Sequence, residues 1–472
     1  MTPTRTAGET MLWYDLETSG TDVGYDRILQ FAGVRTDLEL NPIGEPLNFF
    51  CYPGDDVVPD PDAMQVTGLK MSQIRDQGMN EAEFSRQIHS AFSEPQTCVV
   101  GFNSIRFDDE FARVLFYRNF YDPYAREWQG GNSRWDVIDF FRMAAALRPE
   151  GFNWPSRDNG SPSFRLEHLT AANGVSHEGA HDAVADVMAT IDVVRLLRRA
   201  QPKLYEYLFN LRRKKAVLDQ LYPLGKQALV HVSSMYPATQ RCLAVVLPIA
   251  VHPTNPNGII CFDLSQDPED LIRCGPEELQ RRIFTRNDEL GENESRIPLK
   301  TIHVNRAPAI SPLGTVLSQA HELGIDLDLC EQHKQRLQRS AGLVEKIDEA
   351  FSATQFTRTE DPDQMLYQGD FFSRQDREVM AAVQAAEPSA LPAYRGQFSD
   401  HRLPEMLFRY QARNYPASLS EADLARWQGF IRQRMDASIA QGRRERLEQA
   451  LSSQPGNPIL QDLKSFYAES DD

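Results

Sequence analysis

Asp15 and Glu17 lie two residues apart, at the end of the apolar run Met11-Leu12-Trp13-Tyr14 and just before Thr18-Ser19-Gly20. The run reads as a short buried strand and the residues after it as a turn. Side chains two apart share one face of a strand, so the two carboxylates point the same way and repel unless a positive charge sits between them. A metal ion is the usual such charge. Alone, D-x-E is a common polar strand end, and the reading requires further acids from elsewhere in the chain.

Two later stretches offer them. The strand-like run Cys98 to Asn103 leads into GFNSIRFDDEFARVLF, where Asp108 stands just before a helical pattern over residues 109 to 119. Acids at that place also suit a helix N-terminus on their own account. Next, AHDAVADVMATID holds His181, Asp182 and Asp186 at the start of a helix over residues 180 to 199, whose apolar face is Val184, Val187, Met188, Ile191 and Val194. Five residues of helix turn through roughly 500°, which sets His181 and Asp186 about 140° apart. Helical spacing by itself pairs Asp182 with Asp186 instead, at i and i+4.

The elements that must carry these residues follow from the apolar pattern. Met11 to Glu17, Ile28 to Thr36 and Leu47 to Tyr52 read as an antiparallel meander, and with the helices above they predict an α/β first domain ending near Ala200-Gln201-Pro202. Residues 203 to 225 read as helical and very basic. From Ala228 the texture changes to short β-like runs (LVHVSS, CLAVVLPIAV, GIICFDL, LKTIHVN), and after Phe351 a polar link leads to helical patterns that run to residue 468.

Composition narrows the class. At 472 residues the chain is long enough for two to four domains. Six scattered cysteines with no C-x-x-C pair argue against a zinc ribbon or a disulfide framework and fit a reducing, cytoplasmic compartment. MTPTRTAGET has no apolar signal core, and the longest apolar stretch, Cys242 to Val251, is too short to span a bilayer, so neither export nor a membrane is expected. Fifty Lys and Arg against 67 Asp and Glu give a net charge of −17, which confines any nucleic-acid site to a local basic patch. Nothing signals an oligomer, and a monomer is the default.

Taken together, D-x-E on a first strand, N-x-x-x-x-D after a later one and H-x-A-x-x-D on a late helix resemble the DEDD exonuclease superfamily in its histidine subtype. The resemblance makes Asp15, Glu17, Asp108 and Asp186 the four acids and His181 the histidine, and leaves Asp182 out. FYRNFYDPYA, NSRWD, ALRPEG, PSFRLEHLT, LVHVS and RLPEMLFRYQARNYP extend the likeness over nearly the whole chain, to bacterial members that digest single-stranded DNA.

That resemblance implies an α/β protein with an RNase H-like exonuclease domain (1–201), an SH3-like β-containing domain (202–353) and a helical C-terminal domain (354–472), together surrounding a groove for the strand. It implies processive 3′-to-5′ release of 5′-mononucleotides in DNA repair and recombination. Two Mg²⁺ ions about 4 Å apart, with Mn²⁺ as a substitute, would serve the hydrolysis, and hard cations of this kind take oxygen ligands. Asp15 would bridge them, Glu17 and Asp186 would complete the first, and Asp108 would hold the second. Neutral His181 would take the proton of the attacking water.

For the DNA, Arg165 in SFRLEH is the expected phosphate clamp. A basic helix carrying Arg195, Arg198, Arg199, Lys203, Arg212, Arg213, Lys214 and Lys215 would track the backbone. Arg113, Tyr124, Trp128, Arg142 and Tyr207 combine basic and aromatic side chains suited to stacking bases without reading sequence, and Glu17 faces the reacting nucleotide. Lys300, His303 and Tyr367 fall where the later domains of the family meet DNA. The family also docks the acidic C-terminal tail of single-stranded-DNA-binding protein; Lys226 and Tyr207 match that site, whereas Leu317 and Gln338 stand where basic residues are expected. A small-RNA exonuclease or a proofreading subunit would share the five site residues but would be mostly a single domain. A pure binding module would lack an acid or the histidine.

Overall fold

Leu12, Tyr14 and Leu16 are buried on one side of strand β1 (Thr10–Thr18), while Asp15 and Glu17, on the other, are only half-buried. The computed structural model describes residues 8–177, 182–292, 294–352 and 358–470. β1 pairs antiparallel with β2 (Ile28–Thr36), which pairs antiparallel with β3 (Leu47–Phe50), giving the expected meander. β3 ends two residues short of Tyr52 because Cys51 makes only an isolated bridge, to Met79.

On its other side β1 runs parallel to β4 (Thr97–Gly101), so these four strands follow the order β3-β2-β1-β4 within a five-stranded sheet. The parallel register stops at Trp13 against Val100, which leaves Asp15 and Glu17 beyond the last pair. Parallel strands deliver their carboxyl ends to the same edge. The chain leaving β4 turns at Asn103, whose φ of 61° is left-handed, and enters the helix Asp108–Arg118 at that same edge. Asp108 is therefore the first residue of the helix, not the residue before it. Phe84, Ile88 and Phe92 of the helix Glu81–Ser93 join Phe111, Leu115 and Phe116 in one core with the inner face of β1.

The chain divides into two compact units that cut across the linear domain order. The first contains residues 1–133, 177–191 and 358–472, so the C-terminal helices belong to the same body as the sheet. Leu29, Val58 and Met64 pack with Leu447, Leu460 and Phe466, and Tyr117 and Phe120 pack with Leu403, Met406 and Leu407. Charges are buried there as well. Arg413, in the helix Leu403–Asn414, donates to both oxygens of Asp56 (3.1 and 2.9 Å) and to Asp363 (3.1 Å), while Arg118 meets Glu81 at 2.8 Å.

The second unit contains residues 134–176 and 192–357. A short strand, β5 (Ser133–Asp136), lies where the chain passes into it. Its antiparallel sheet, in the order β10-β6-β7-β8-β9, is built from β6 (Leu229–Val232), β7 (Leu243–Val251), β8 (Gly258–Asp263), β9 (Leu299–His303) and β10 (Ala309–Pro312). β10 is short and ends in Pro, so its AISP carries little apolar signal in the sequence. Helices Pro276–Phe284, Leu327–Arg339 and Leu343–Ser352 cover the sheet through Leu279, Ile283, Leu337 and Ile347, and they make this region more helical than its β-like runs suggest. The expected single basic helix is three: Ala183–Ala200, Pro202–Asn210 and Lys214–Leu221. Among the described residues no helix is long and apolar enough to cross a membrane.

Candidate active site

Asp15, Glu17 and Asp186 come together at the carboxyl edge of β1, with ligand oxygens within 4.8 Å of one another. β1 supplies the first two and the helix Ala183–Ala200 supplies Asp186 in its first turn. Asp182 does not join them as a partner on the same helix face. It precedes the helix, and its carboxylate accepts from the backbone N–H groups of Val184 and Ala185 at 3.0 and 3.1 Å, a capping role.

Electrostatics show what the cluster needs. Burial and the Asp186 charge push Asp15 up to about 7. Burial and the charges of Asp15, Asp186 and Asp182 push Glu17 up to about 9. Two carboxyls held back from ionising beside a third acid are a fit for a hard divalent cation, which would let Asp15 and Glu17 stay charged.

Asp108 is buried at its helix start, outside this group of three. Its neighbour Asp109 is taken up structurally, accepting from the Tyr14 hydroxyl (2.9 Å) and from buried Arg126 (2.7 Å). His181 lies outside the described residues. The structure places another histidine here: His177 Nε2 is hydrogen-bonded to Asp186 Oδ1. The only sequence signal for it is a second histidine four residues upstream in SHEGAHDA.

A second feature of this unit is an aromatic group around Arg113. Of these Tyr367 is 63% exposed and Tyr124 half-buried; Trp128, next in sequence to Glu127, is 66% exposed. Phe371, which sequence reasoning missed, is 87% exposed and meets Tyr124 edge-on at 6.4 Å. Arg113 lies 5.3 Å from the Tyr124 ring centre, but it is buried, bonded to both oxygens of Glu127 (2.8 and 3.1 Å) and to Glu110 (2.7 Å), and it donates to the Tyr367 hydroxyl. Its charge is largely spent on these glutamates.

The remaining predicted residues belong to the second unit. Arg165 is 68% exposed and only loosely paired, 3.9 Å from Glu167. Arg142 is bound to Asp139 at 2.6 Å and lies over Phe164. Lys214 is exposed and donates to Asn257. Lys300 donates to the Met235 carbonyl beside the Tyr236 ring, and His303 lies 3.4 Å from the Asn255 amide. Tyr207 is half-buried and Lys226 exposed; Leu317 is exposed, and Gln338 donates to the carbonyl of Gly225 beside Lys226. Of the basic run, Arg195 is paired with Asp192 and Arg212 covers the Phe209 ring.

A central strand flanked by one antiparallel and one parallel neighbour, with acids at its carboxyl end and a helix bringing another, defines an RNase H-like exonuclease. Family models agree along the chain: Exonuclease over residues 12–194, Exonuclease I SH3-like domain over 212–353 and Exonuclease I C-terminal domain over 360–469. The exodeoxyribonuclease I of Escherichia coli (strain K12) is 44% identical over 441 residues, which cover 93% of this chain and 92% of that one. The zinc-bound E. coli ExoI–ssDNA complex superposes with a TM-score of 0.93 at 41% identity, covering 98% of this chain and 100% of that one. An ExoI/SSB-Ct complex does so with a TM-score of 0.92 at 40% identity, with the same coverage. The chain belongs to the exonuclease I family and is an exonuclease.

Proposed function

We propose that this protein degrades single-stranded DNA processively from the 3′ end to 5′-mononucleotides, in the cytoplasm, in DNA repair and recombination. The observation that carries the reading is the group Asp15, Glu17 and Asp186, three acids at one strand edge whose mutual repulsion calls for a divalent cation. Its solved relative's complex with single-stranded DNA and zinc supports both substrate and metal use.

Two Mg²⁺ ions, with Mn²⁺ as substitute, are the proposed cofactor, held by Asp15, Glu17 and Asp186 with Asp108 as the further acid. Such ions, when bound, offset negative charge on the phosphate and make water a nucleophile near neutral pH. The chain does the rest. His181 removes the proton from the attacking water, and His177 fixes the rotation of the Asp186 carboxylate through its hydrogen bond. Arg165, exposed and loosely paired, holds the phosphate.

Trp128, Tyr124, Tyr367 and Phe371 stack the bases, a contact that tolerates any sequence. Arg113 braces that platform through Tyr124 and Tyr367 more than it meets phosphate. Arg142, Tyr207, Lys214, Lys300 and His303 contribute further strand contacts from the second unit. The acidic C-terminal tail of single-stranded-DNA-binding protein is the proposed partner, docking at Lys226 and Tyr207; the ExoI/SSB-Ct complex supports this. The reading keeps three domains, 1–201, 202–353 and 354–472, and a monomer.

The test is digestion of a long single strand labelled at its 5′ end, with Mg²⁺ or EDTA, beside a duplex and an RNA strand. Mg²⁺-dependent shortening from the 3′ end, with mononucleotides accumulating while full-length strands persist, is the expected result. Retention of an uncut strand would establish a binding protein instead, and preferential loss of RNA would move the substrate. In the same assay Phe371→Ala is expected to weaken strand binding in EDTA by about 1–3 kcal/mol, the worth of one stacked base.

A further inference from the structure

The turn that follows Glu17 is held from the far end of the chain. Residues 19 to 27 join β1 to β2, and the register between these strands is regular through the pair Glu17–Gln30 and shifts immediately after it, so Glu17 is the last residue held by the regular ladder and the chain beyond it is held by the turn. The turn is organised around the fully buried carboxylate of Asp26. Ser19 Oγ donates to Asp26 Oδ1 at 2.8 Å and the Asp22 N–H donates to Oδ2 at 3.0 Å. The Ser19 N–H donates to the Arg27 carbonyl, and the Arg27 N–H returns a bond to Ser19 Oγ. Gly20 leaves this carboxylate its space, since a Cβ there would lie 2.3 Å from Asp26 Oδ2.

None of these groups neutralises Asp26. That is done by Arg443 of the helix Ser438–Ser453, which donates Nη1 to Oδ1 at 2.7 Å and Nη2 to Oδ2 at 2.8 Å, in the bidentate geometry that makes such pairs both strong and directional. Arg443 Nη1 also donates to the Val58 carbonyl at 2.6 Å, and its guanidinium lies 4.8 Å from the Tyr25 ring centre. Asp60 borders the same guanidinium and donates its backbone N–H to the Ser19 carbonyl.

We propose that Arg443 is a positioning residue for the metal-binding end of β1, acting through Asp26 and Ser19 on Glu17. The inference rests on the acid cluster's being a metal site. Three acids that repel one another would part if the strand end were free. A rigid turn two residues beyond Glu17 keeps its carboxylate within reach of Asp15 and Asp186, so metal binding need not gather the ligands first. Arg443 touches neither metal nor DNA in this role.

The test compares wild-type protein with Arg443→Met, Arg443→Lys and the double variant Asp26→Asn/Arg443→Met, which removes both buried charges and so guards against simple failure to fold. Mn²⁺ affinity is read by the loss of free-ion electron paramagnetic resonance signal, without DNA or turnover. Binding of a fluorescent single strand is measured in EDTA. The expected result is Mn²⁺ affinity at least fivefold weaker in Arg443→Met and in the double variant, partly restored in Arg443→Lys, with strand affinity within twofold throughout. Unchanged Mn²⁺ affinity in the folded double variant overturns the proposal while leaving the metal site intact. Wild-type protein that binds Mn²⁺ no better than Asp186→Asn overturns the metal site and this inference together.

Discussion

Two groups of acids in the first unit have opposite fates. At the carboxyl edge of β1, burial and mutual repulsion raise Asp15 to about 7 and Glu17 to about 9. Around Arg413, burial would likewise raise Asp56, Glu81 and Asp363, but Arg413, Arg27, Arg118 and Arg409 outweigh it. Asp363 falls to about 2, and Asp56 and Glu81 are also held below the usual range. The residue types are the same, and the group around Arg413 is the more deeply buried of the two. Where the chain provides its own cations, acids are architecture; where it provides further acids, the balancing charge has to arrive from solution.

The contrast breaks first at Asp186. Asp186→Asn is expected to reduce single-turnover digestion by about 10³-fold or more, since a bound metal's share of the barrier is several kcal/mol and each 1.4 kcal/mol is tenfold. The melting temperature in EDTA should nevertheless rise, because a repelling charge is gone. Arg413→Met should do the reverse. It leaves Asp56 and Asp363 short of a buried cation, which costs about 3–5 kcal/mol. Urea unfolding measures that loss, while the rate per folded molecule stays within a few-fold.

The contrast also sharpens with pH when metal is withheld. A carboxyl raised in the folded state gives stability that is complete below about pH 4 and disappears as pH rises through the folded values, here about 7 and 9. A depressed one such as Asp363 gives stability present above its ordinary 3.8 and lost as pH falls toward 2. The urea midpoint in EDTA should therefore decline steadily from pH 5 to 9, and saturating Mg²⁺ should flatten that decline. A flat profile in EDTA would show that the acids of the cluster are not coupled.

What the sequence made legible divides along the same line. Asp15 and Glu17 were readable because period-two alternation has a fixed geometry. Helical spacing paired Asp186 with Asp182, and only the family pattern kept Asp186 and set aside Asp182, which proved to be a cap. The meander and β4 followed from apolar runs, and the SH3-like sheet followed in outline, without β10 and most of its covering helices.

Arg113 illustrates what stays hidden. A basic residue among aromatics reads as a phosphate contact until Glu110 and Glu127 are seen to occupy it. Phe371 and Phe372 are adjacent and identical in type, yet Phe372 stacks on Tyr117 while Phe371 stands in solvent. No local pattern separates them. Nor can one find Asp56 with Arg413, partners 357 positions apart, because nothing in either neighbourhood marks a charge that will be buried.

The pairing of Asp26 with Arg443 spans 417 positions, and that distance has a meaning on the ribosome. Every acid of the cutting site is synthesised well before the arginine that steadies it, and the helices that bury Asp56 come equally late. A nascent or truncated chain therefore holds the reagents of the reaction without the clamp on them. A destructive enzyme in which a late helix steadies the first strand gains that clamp only after every acid of its cutting site has been made.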